Sequence, residues 1–369
     1  MRDREGFLER LADLWRADAI SEIMGGDEMR LLPWILFPVG LFVLLNTGVA
    51  FPGDSWKSWQ EKTGPISIAN QSPIQLLFLQ PMPDRADTLP KGHSCISLNT
   101  AITNTLLSQR SGDFTATLDM QTIRPSLEVN YGALARLELG LSLPVIHYYS
   151  GYMDATILHV EEMFGRPRSI RDREEPNQFT YFVKKHDKAF IQATENTTGI
   201  GDLVLRAKGK IRDEGKFLPA LSTRLAVKLP TGDEDLAFGT REFDWGLGIL
   251  LQKDVTRRMT VYCNADVTFP GKAFDDAEVS LREFYTFMFG TEYRFTERFS
   301  ALAQMNLITK PFQDTGLDML DRRIIDLLIG LTYCTGSGIF IQTGGLEDIF
   351  DSTEAGADFT FFVNVGARF

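Results

Sequence analysis

The sequence predicts an all-β fold, a closed antiparallel transmembrane barrel of about 12 strands with short periplasmic turns and long outer loops. Three patterns carry that expectation. Apolar and polar residues alternate with period two over segments of roughly ten residues, the length of a tilted membrane strand. Connectors alternate short and long along the chain. Aromatic residues collect at both ends of the segments, where amphipathic rings meet membrane interfaces. A soluble sandwich would also alternate, but it has no reason to sort its loops or its aromatics in this way.

Composition is compatible with a barrel and narrows the function classes. The chain has 369 residues, 44% hydrophobic and 24% charged, an ordinary balance that a polar-lined barrel keeps because only one strand face meets lipid. A formal net charge of -11 argues against a nucleic-acid partner, which needs an excess of Lys and Arg. Cys95, Cys263 and Cys334 sit in alternating segments without metal-ligand spacing. The four histidines, His93, His147, His159 and His186, fall in no HExxH motif, and neither CxxC nor GxSxG occurs. No metal, cofactor or catalytic residue is therefore expected.

At the amino terminus, LLPWILFPVGLFVLLNTGVAF (31–51) follows Arg30, is broken by Pro33 and Pro38, and places Gly48 and Ala50 at signal-peptidase spacing. It reads as a signal peptide over 29–50, cut after Ala50; a membrane anchor is the rival reading, since about 20 apolar residues span a bilayer. The acidic stretch 1–28, with Phe7, Leu8, Leu11, Leu14 and Trp15 on one helical face, reads as an upstream extension ahead of a true start at Met29. Residues 51–91 form a periplasmic segment or a lumen hatch, and 92–369 the barrel.

The strands are expected at 94–107, 116–131, 137–147, 200–211, 217–229, 242–253, 259–269, 283–295, 299–309, 323–334, 338–346 and 358–369. Parity is clean in several. Leu137, Leu139, Leu141, Leu143 and Val145 oppose Glu138, Gly140 and Ser142; Leu221, Leu225 and Val227 oppose Ser222, Arg224 and Lys228; Trp245, Leu247 and Ile249 oppose Asp244, Gly246 and Gly248. Short connectors at 132–136, 212–216, 254–258, 296–298 and 335–337 alternate with long ones at 148–199, 230–241, 270–282, 310–322 and 347–357. One aromatic belt gathers Tyr131, Phe217, Tyr293, Phe295, Phe299, Tyr333 and Phe369, the other Tyr148, Phe243, Trp245, Phe269, Tyr285, Phe359 and Phe361. The chain ends in FFVNVGARF, whose Phe361, Val363, Val365 and Phe369 share one parity. That makes the last residues a closing strand, with an aromatic terminus resembling the signal read by barrel-assembly machinery.

The stretches TGPISIANQSPIQLLFLQPMPDRADTLPKG, RLELGLSLPVIHYYSGYMD, TGIGDLVLRAKGKI, LSTRLAVKLPTGDED and FDWGLGILLQKDV resemble an uncharacterised family of bacterial outer-membrane barrels known only as a domain of unknown function. The resemblance runs from about Gly64 to Phe369. The shorter pieces GIGDL and KLPTGD are similar to outer-membrane channels for aromatic or fatty compounds. The family implies a fold and an outer-membrane location, and no substrate or catalytic residue. The chain departs from usual periplasmic-turn chemistry at YGALARLE, which leaves the end of the second strand open.

With the apolar parity toward lipid, the opposite parity lines a lumen whose charges include Arg124, Glu128, Glu138, Asp202, Arg206, Lys208, Lys210, Arg224, Lys228, Asp244, Asp266 and Asp326. Strand direction places Lys210 beside Glu138 and Lys228 beside Asp244. Arg206, Lys208 and Arg224 remain at mid-height and, with Lys228, form the expected lumen constriction. They read either as an internal salt-bridge plug or as a positive ring favouring anions. The apolar run within NQSPIQLLFLQP, with Asn70, Pro73, Leu76 and Phe78, is expected either to fold into the barrel mouth as a hatch or to lie outside as a tether.

These features point to a narrow passive channel or transporter for small solutes, the solute unknown, with anion preference as the finer form of the reading. Outer-membrane lipid, lipopolysaccharide and the assembly machinery are the expected partners. The long connector 148–199 carries Arg166, Arg168, Arg171 and Arg173, which suit lipopolysaccharide phosphates or a solvated charge run, and it holds an alternating pair, FTYFVKK and KAFIQAT. A lipid-modifying enzyme is the rival class, resting on His147 and Ser150 at the outer rim, where no acidic orienter is identifiable. A non-conducting scaffold or adhesion barrel is the third.

Overall fold

A computed structural model describes residues 63–152, 177–348 and 359–369. The expectations for the leader, the upstream extension, the helix near 154–164 and the arginines of 166–173 lie outside these residues. Fifteen strands form one sheet: β1 (Ser94–Ser111), β2 (Phe114–Leu134), β3 (Leu137–Tyr149), β4 (Thr180–Lys185), β5 (Lys188–Gln192), β6 (Thr197–Ile200), β7 (Leu203–Arg212), β8 (Ala220–Leu229), β9 (Asp244–Asp254), β10 (Met259–Phe269), β11 (Phe284–Arg294), β12 (Phe299–Ile308), β13 (Ile324–Cys334), β14 (Ile339–Asp348) and β15 (Phe359–Arg368). Consecutive barrel strands pair antiparallel, β3 pairs with β7, and β15 returns to β1 with Cys95 opposite Arg368 and Asn104 opposite Phe359. With β4, β5 and β6 set aside, twelve strands close the wall. Closure leaves no strand edge to carry unpaired backbone groups into lipid.

The period-two pattern separates the faces as expected. Leu225, Trp245, Ile249, Phe289 and Ile329 are exposed on the outside, while Ser222, Arg224, Asp244, Asp266 and Asp326 are buried inside. The outer surface is thus a belt of large apolar side chains, and the interior is polar, as a membrane barrel requires.

Three features differ from the sequence reading. First, β1 and β2 run to a two-residue turn at Gly112 and Asp113, rather than ending in a connector at 108–115; Gly112 takes φ +54° there. The polar run around it reads as a loop, but the outer half of β2 stays extended because it pairs with β4, Phe114 opposite Lys185 and Asp119 opposite Thr180. Second, β2 continues to Leu134, past a register shift between Gly132 and Leu134. Third, Tyr148 does not join the outer aromatic belt. It is fully buried, stacked on Phe238 at 5.3 Å, with its hydroxyl donating to the Ala237 carbonyl at 2.8 Å.

Tyr148 belongs to an apolar cap over the outer mouth. FTYFVKK and KAFIQAT form the β4–β5 hairpin, whose Tyr181, Val183 and Ile191 are buried against Leu107, Leu118 and Met120 of the prolonged β1–β2 hairpin. Loop residues Phe238, Phe274, Phe312 and Leu320 complete the cluster. Burial of apolar area at about 25 cal/mol per Å² makes such a cap a stabilising element in its own right.

Candidate functional site in the barrel lumen

Residues 63–91 thread the lumen. Ascending, Thr63 donates to Glu292 near the periplasmic end of β11, the Ile66 amide donates to Gln304 midway along β12, and Asn70 donates to both Asp326 oxygens at 3.1 Å near the outer end of β13. The chain reverses through a short turn at Gln75–Leu77, tight enough that the Leu76 amide reaches the Ser72 carbonyl. Descending, the Leu79 amide donates to Asp244, the Asp84 amide to Asn264, and the Leu89 amide to Glu138 near the periplasmic end of β3. The polar strand face supplies acceptors to a segment that carries its own unpaired amides, so the burial is paid in hydrogen bonds rather than left as desolvation.

The four predicted hatch residues all lie in this hairpin. Asn70 is buried against Asp326, and Pro73 is buried at the entry to the reversal. Leu76 lines a cavity in the outer half of the lumen. Phe78 inserts into the cap, edge-on to Phe312 at 5.6 Å, Phe284 at 6.2 Å and Phe274 at 6.4 Å. Lower down, Ile66 and Ile68 pack on Leu302, Leu328, Leu346 and Phe362. The ascending arm thus combines this apolar packing with its hydrogen bonds to β11–β13, while the descending arm is held mainly by polar contacts to β7–β10.

All four predicted constriction residues face inward on β7 and β8, and each carries a carboxylate. Arg206 meets Glu128 at 3.1 Å. Lys208 lies between Asp84 at 2.7 Å and Glu138 at 3.2 Å. Arg224 grips Asp266 through Nε at 2.6 Å and Nη2 at 2.7 Å, and also donates to the Met82 carbonyl. Lys228 lies between Asp202 at 3.0 Å and Asp244 at 3.1 Å and donates to the Leu77 carbonyl at 2.7 Å. The expected Lys228–Asp244 neighbourhood is present.

The expected Lys210–Glu138 neighbourhood is not. Glu138 stands opposite Lys208 in the β3–β7 register, while Lys210 bonds Asp87 at 2.9 Å and Asp213 at 2.7 Å. Matching charges by height alone overlooked the carboxylates of the threaded segment, Asp84 and Asp87. At the periplasmic turn, the hydrogen bond from Lys210 holds the Asp213 carboxyl below its usual pKa.

Two glycines make room for this arrangement. A Cβ at Gly132 would collide with the Pro90 carbonyl, where the segment passes into β1, and a Cβ at Gly248 would collide with the Asp266 carboxylate. At the rim, the His147 Nδ1 and the Thr198 hydroxyl are hydrogen-bonded at 2.8 Å, and the ring stacks on Tyr149 at 5.4 Å. Nδ1 of the imidazole is thus taken by Thr198. Among the described residues no group of His, Cys, Asp and Glu is placed to hold a metal ion.

The sequence matches the family described as Protein of unknown function (DUF3187) over residues 41–369. Among solved structures, the fold is similar to the COG4313 outer membrane channel from Pseudomonas putida F1, with TM-score 0.53 and 14% identity, covering 79% of this chain and 100% of that one. The Ralstonia pickettii toluene transporter TbuX matches at TM-score 0.38 and 10% identity, over 76% of this chain and 90% of that one. A KdgM porin matches at TM-score 0.37 and 10% identity, over 74% and 99%. No curated protein matches the chain.

Proposed function

The chain belongs to that family of unknown function, DUF3187, and we propose that it is a narrow outer-membrane channel for small solutes, closed in this state by its own residues 63–91. One observation carries the reading: a hairpin of the chain fills the lumen, and polar contacts hold it along the β7–β10 wall. Such contacts exchange with water when the segment moves, whereas an apolar core packed all round would resist withdrawal.

Withdrawal also alters the field inside. Asp84 and Asp87 leave with the segment, as do the Leu77 and Met82 carbonyls that accept from Lys228 and Arg224. Lys208 and Lys210 then each lose a carboxylate, so the β7–β8 wall of the open lumen becomes more positive and favours anions.

The test is single-channel recording on the purified protein in planar bilayers. Deletion of residues 64–83 is expected to give larger and longer openings than the full chain, and adding Asp84→Asn and Asp87→Asn to it, which frees Lys208 and Lys210 of these carboxylates, is expected to displace the reversal potential toward anions in a salt gradient. Identical traces would defeat the reading and favour a scaffold barrel, which the filled lumen also suits. Delivery to the outer membrane belongs to the same proposal, with a leader over 29–50 cut after Ala50, the exposed apolar belt in lipid and lipopolysaccharide, and β15 presented to the assembly machinery. An amino-terminal mass of the membrane form beginning at Phe51 is the expected result.

A further inference from the structure

Arg124 is an inward-facing cation that the salt bridges among the described residues leave out. It lies on β2 with Thr122 and Ser126, both buried, as its inward neighbours. Its guanidinium Nε is sealed from solvent and has no hydrogen-bond partner, and no carboxylate pairs with it among the described residues. Arg206, Lys208, Arg224 and Lys228 each meet at least one. Arg124 as a whole is half-buried, and a guanidinium drawn partly out of bulk water without a direct counter-charge is disfavoured unless something else supplies one.

The space beside Arg124 is a cavity of about 40 Å³ in the outer half of the lumen. That is room for roughly three waters, or one carboxylate group. Beside the cavity the β2–β3 pairing lapses between Ile123–His147 and Ser126–Pro144, where Pro125 has no N–H to donate. Its charged lining is four cations, Arg124, Arg206, Arg224 and Lys228, against a single carboxylate, Asp202. Glu128, Asp266 and Asp244 neutralise three of those cations from positions that do not line the cavity. Leu76, Phe78 and Ile146 supply an apolar wall.

We propose that this cavity is an anion subsite anchored by Arg124, and that it takes the carboxylate of a small organic acid whose carbon chain lies against Leu76, Phe78 and Ile146. The planar guanidinium offers paired donors that match a carboxylate. The apolar wall on one side and cations on the other select an amphipathic monoanion over a neutral sugar or a polyanion. The proposal rests on the lumen being a solute path and names a class of solute for it.

The experiment is titration calorimetry of the detergent-purified, full-length protein with acetate and with propionate. Binding of both is expected, propionate the tighter. Arg124→Gln is expected to weaken each by about tenfold or more, the loss of one charge-assisted contact. Arg124→Lys should keep part of the affinity, and Arg136→Gln, at an exposed periplasmic turn, should keep all of it. Heat-modifiable mobility on gels establishes that each variant is folded. Crystals of the unaltered protein soaked in bromide give a second readout that needs no variant, with an anomalous peak expected against the Arg124 guanidinium. Absence of acetate binding, equal affinity in a folded Arg124→Gln, or no bromide at Arg124 would each overturn the subsite. Because binding is read with residues 63–91 in place, it can fail while their deletion still opens the channel, and the converse also holds.

Discussion

Arg224 and Asp266 are 4% and 2% exposed and hold each other through two parallel hydrogen bonds. A buried pair of this kind adds little over a well-packed apolar pair, but removing one partner strands the other charge. Asp266→Asn is therefore expected to lower unfolding stability by about 3–5 kcal/mol, read as the midpoint of urea unfolding in detergent. The double change Arg224→Met with Asp266→Leu should cost less than the single one. Gly248→Ala tests the same contact from the backbone, because the new Cβ occupies the position of the Asp266 carboxylate. A midpoint unchanged by Gly248→Ala would show that the pair tolerates being pushed apart. No periodicity marks Gly248 as different from Gly246 beside it; the difference lies in which side chain of the neighbouring strand approaches.

At the scale of elements, β15 joins the two ends of the wall. Phe361 is 41% exposed toward lipid, while Phe362 is buried inward against Ile66 and Ile68. The terminal residue closes the seam with two backbone hydrogen bonds, the Phe369 amide donating to Ser94 at 2.8 Å and the Ser94 amide to Phe369 at 3.0 Å. Deleting Phe369 removes both, a loss of about 1 kcal/mol each, together with the proposed assembly signal. The expected outcome is a lower heat-modifiable fraction in outer-membrane preparations, with the remainder unfolded or degraded. Assembly at the unaltered level would remove Phe369 from both roles. The β4–β5 hairpin shows the other side of element-level reading. Its alternation is visible in FTYFVKK and KAFIQAT, yet its place against β2 follows from pairing across 61 residues of chain, Asp119 with Thr180, which no local pattern encodes.

For the whole molecule, the closed state depends on the threaded segment staying in place. A disulfide between Asn70→Cys and Asp326→Cys, made after replacing Cys95, Cys263 and Cys334, would tie the ascending arm to β13 at its existing contact. Oxidised protein is expected to stay closed in planar bilayers and to recover openings on reduction; equal conductance in both states would show that this arm need not move. The sequence by itself determined the barrel. Period-two alternation, sorted connectors and aromatic belts are local consequences of a wall with lipid on one face, so twelve strands, their inward charges and the closing strand can be read residue by residue. It also marked Asn70, Pro73, Leu76 and Phe78, around an apolar run bracketed by Pro73 and Pro81, as a hatch or an outside tether, and Arg206, Lys208, Arg224 and Lys228 as inward cations. Only the tertiary structure decided that 63–91 runs up and down inside the lumen, that Glu138 goes to Lys208 rather than Lys210, that Tyr148 caps the mouth, and that no carboxylate among the described residues pairs with Arg124. The physical reason is one of range. Which face a residue takes is set by its strand, whereas which charge it meets across a lumen depends on register, closure and a segment more than a hundred residues away in sequence.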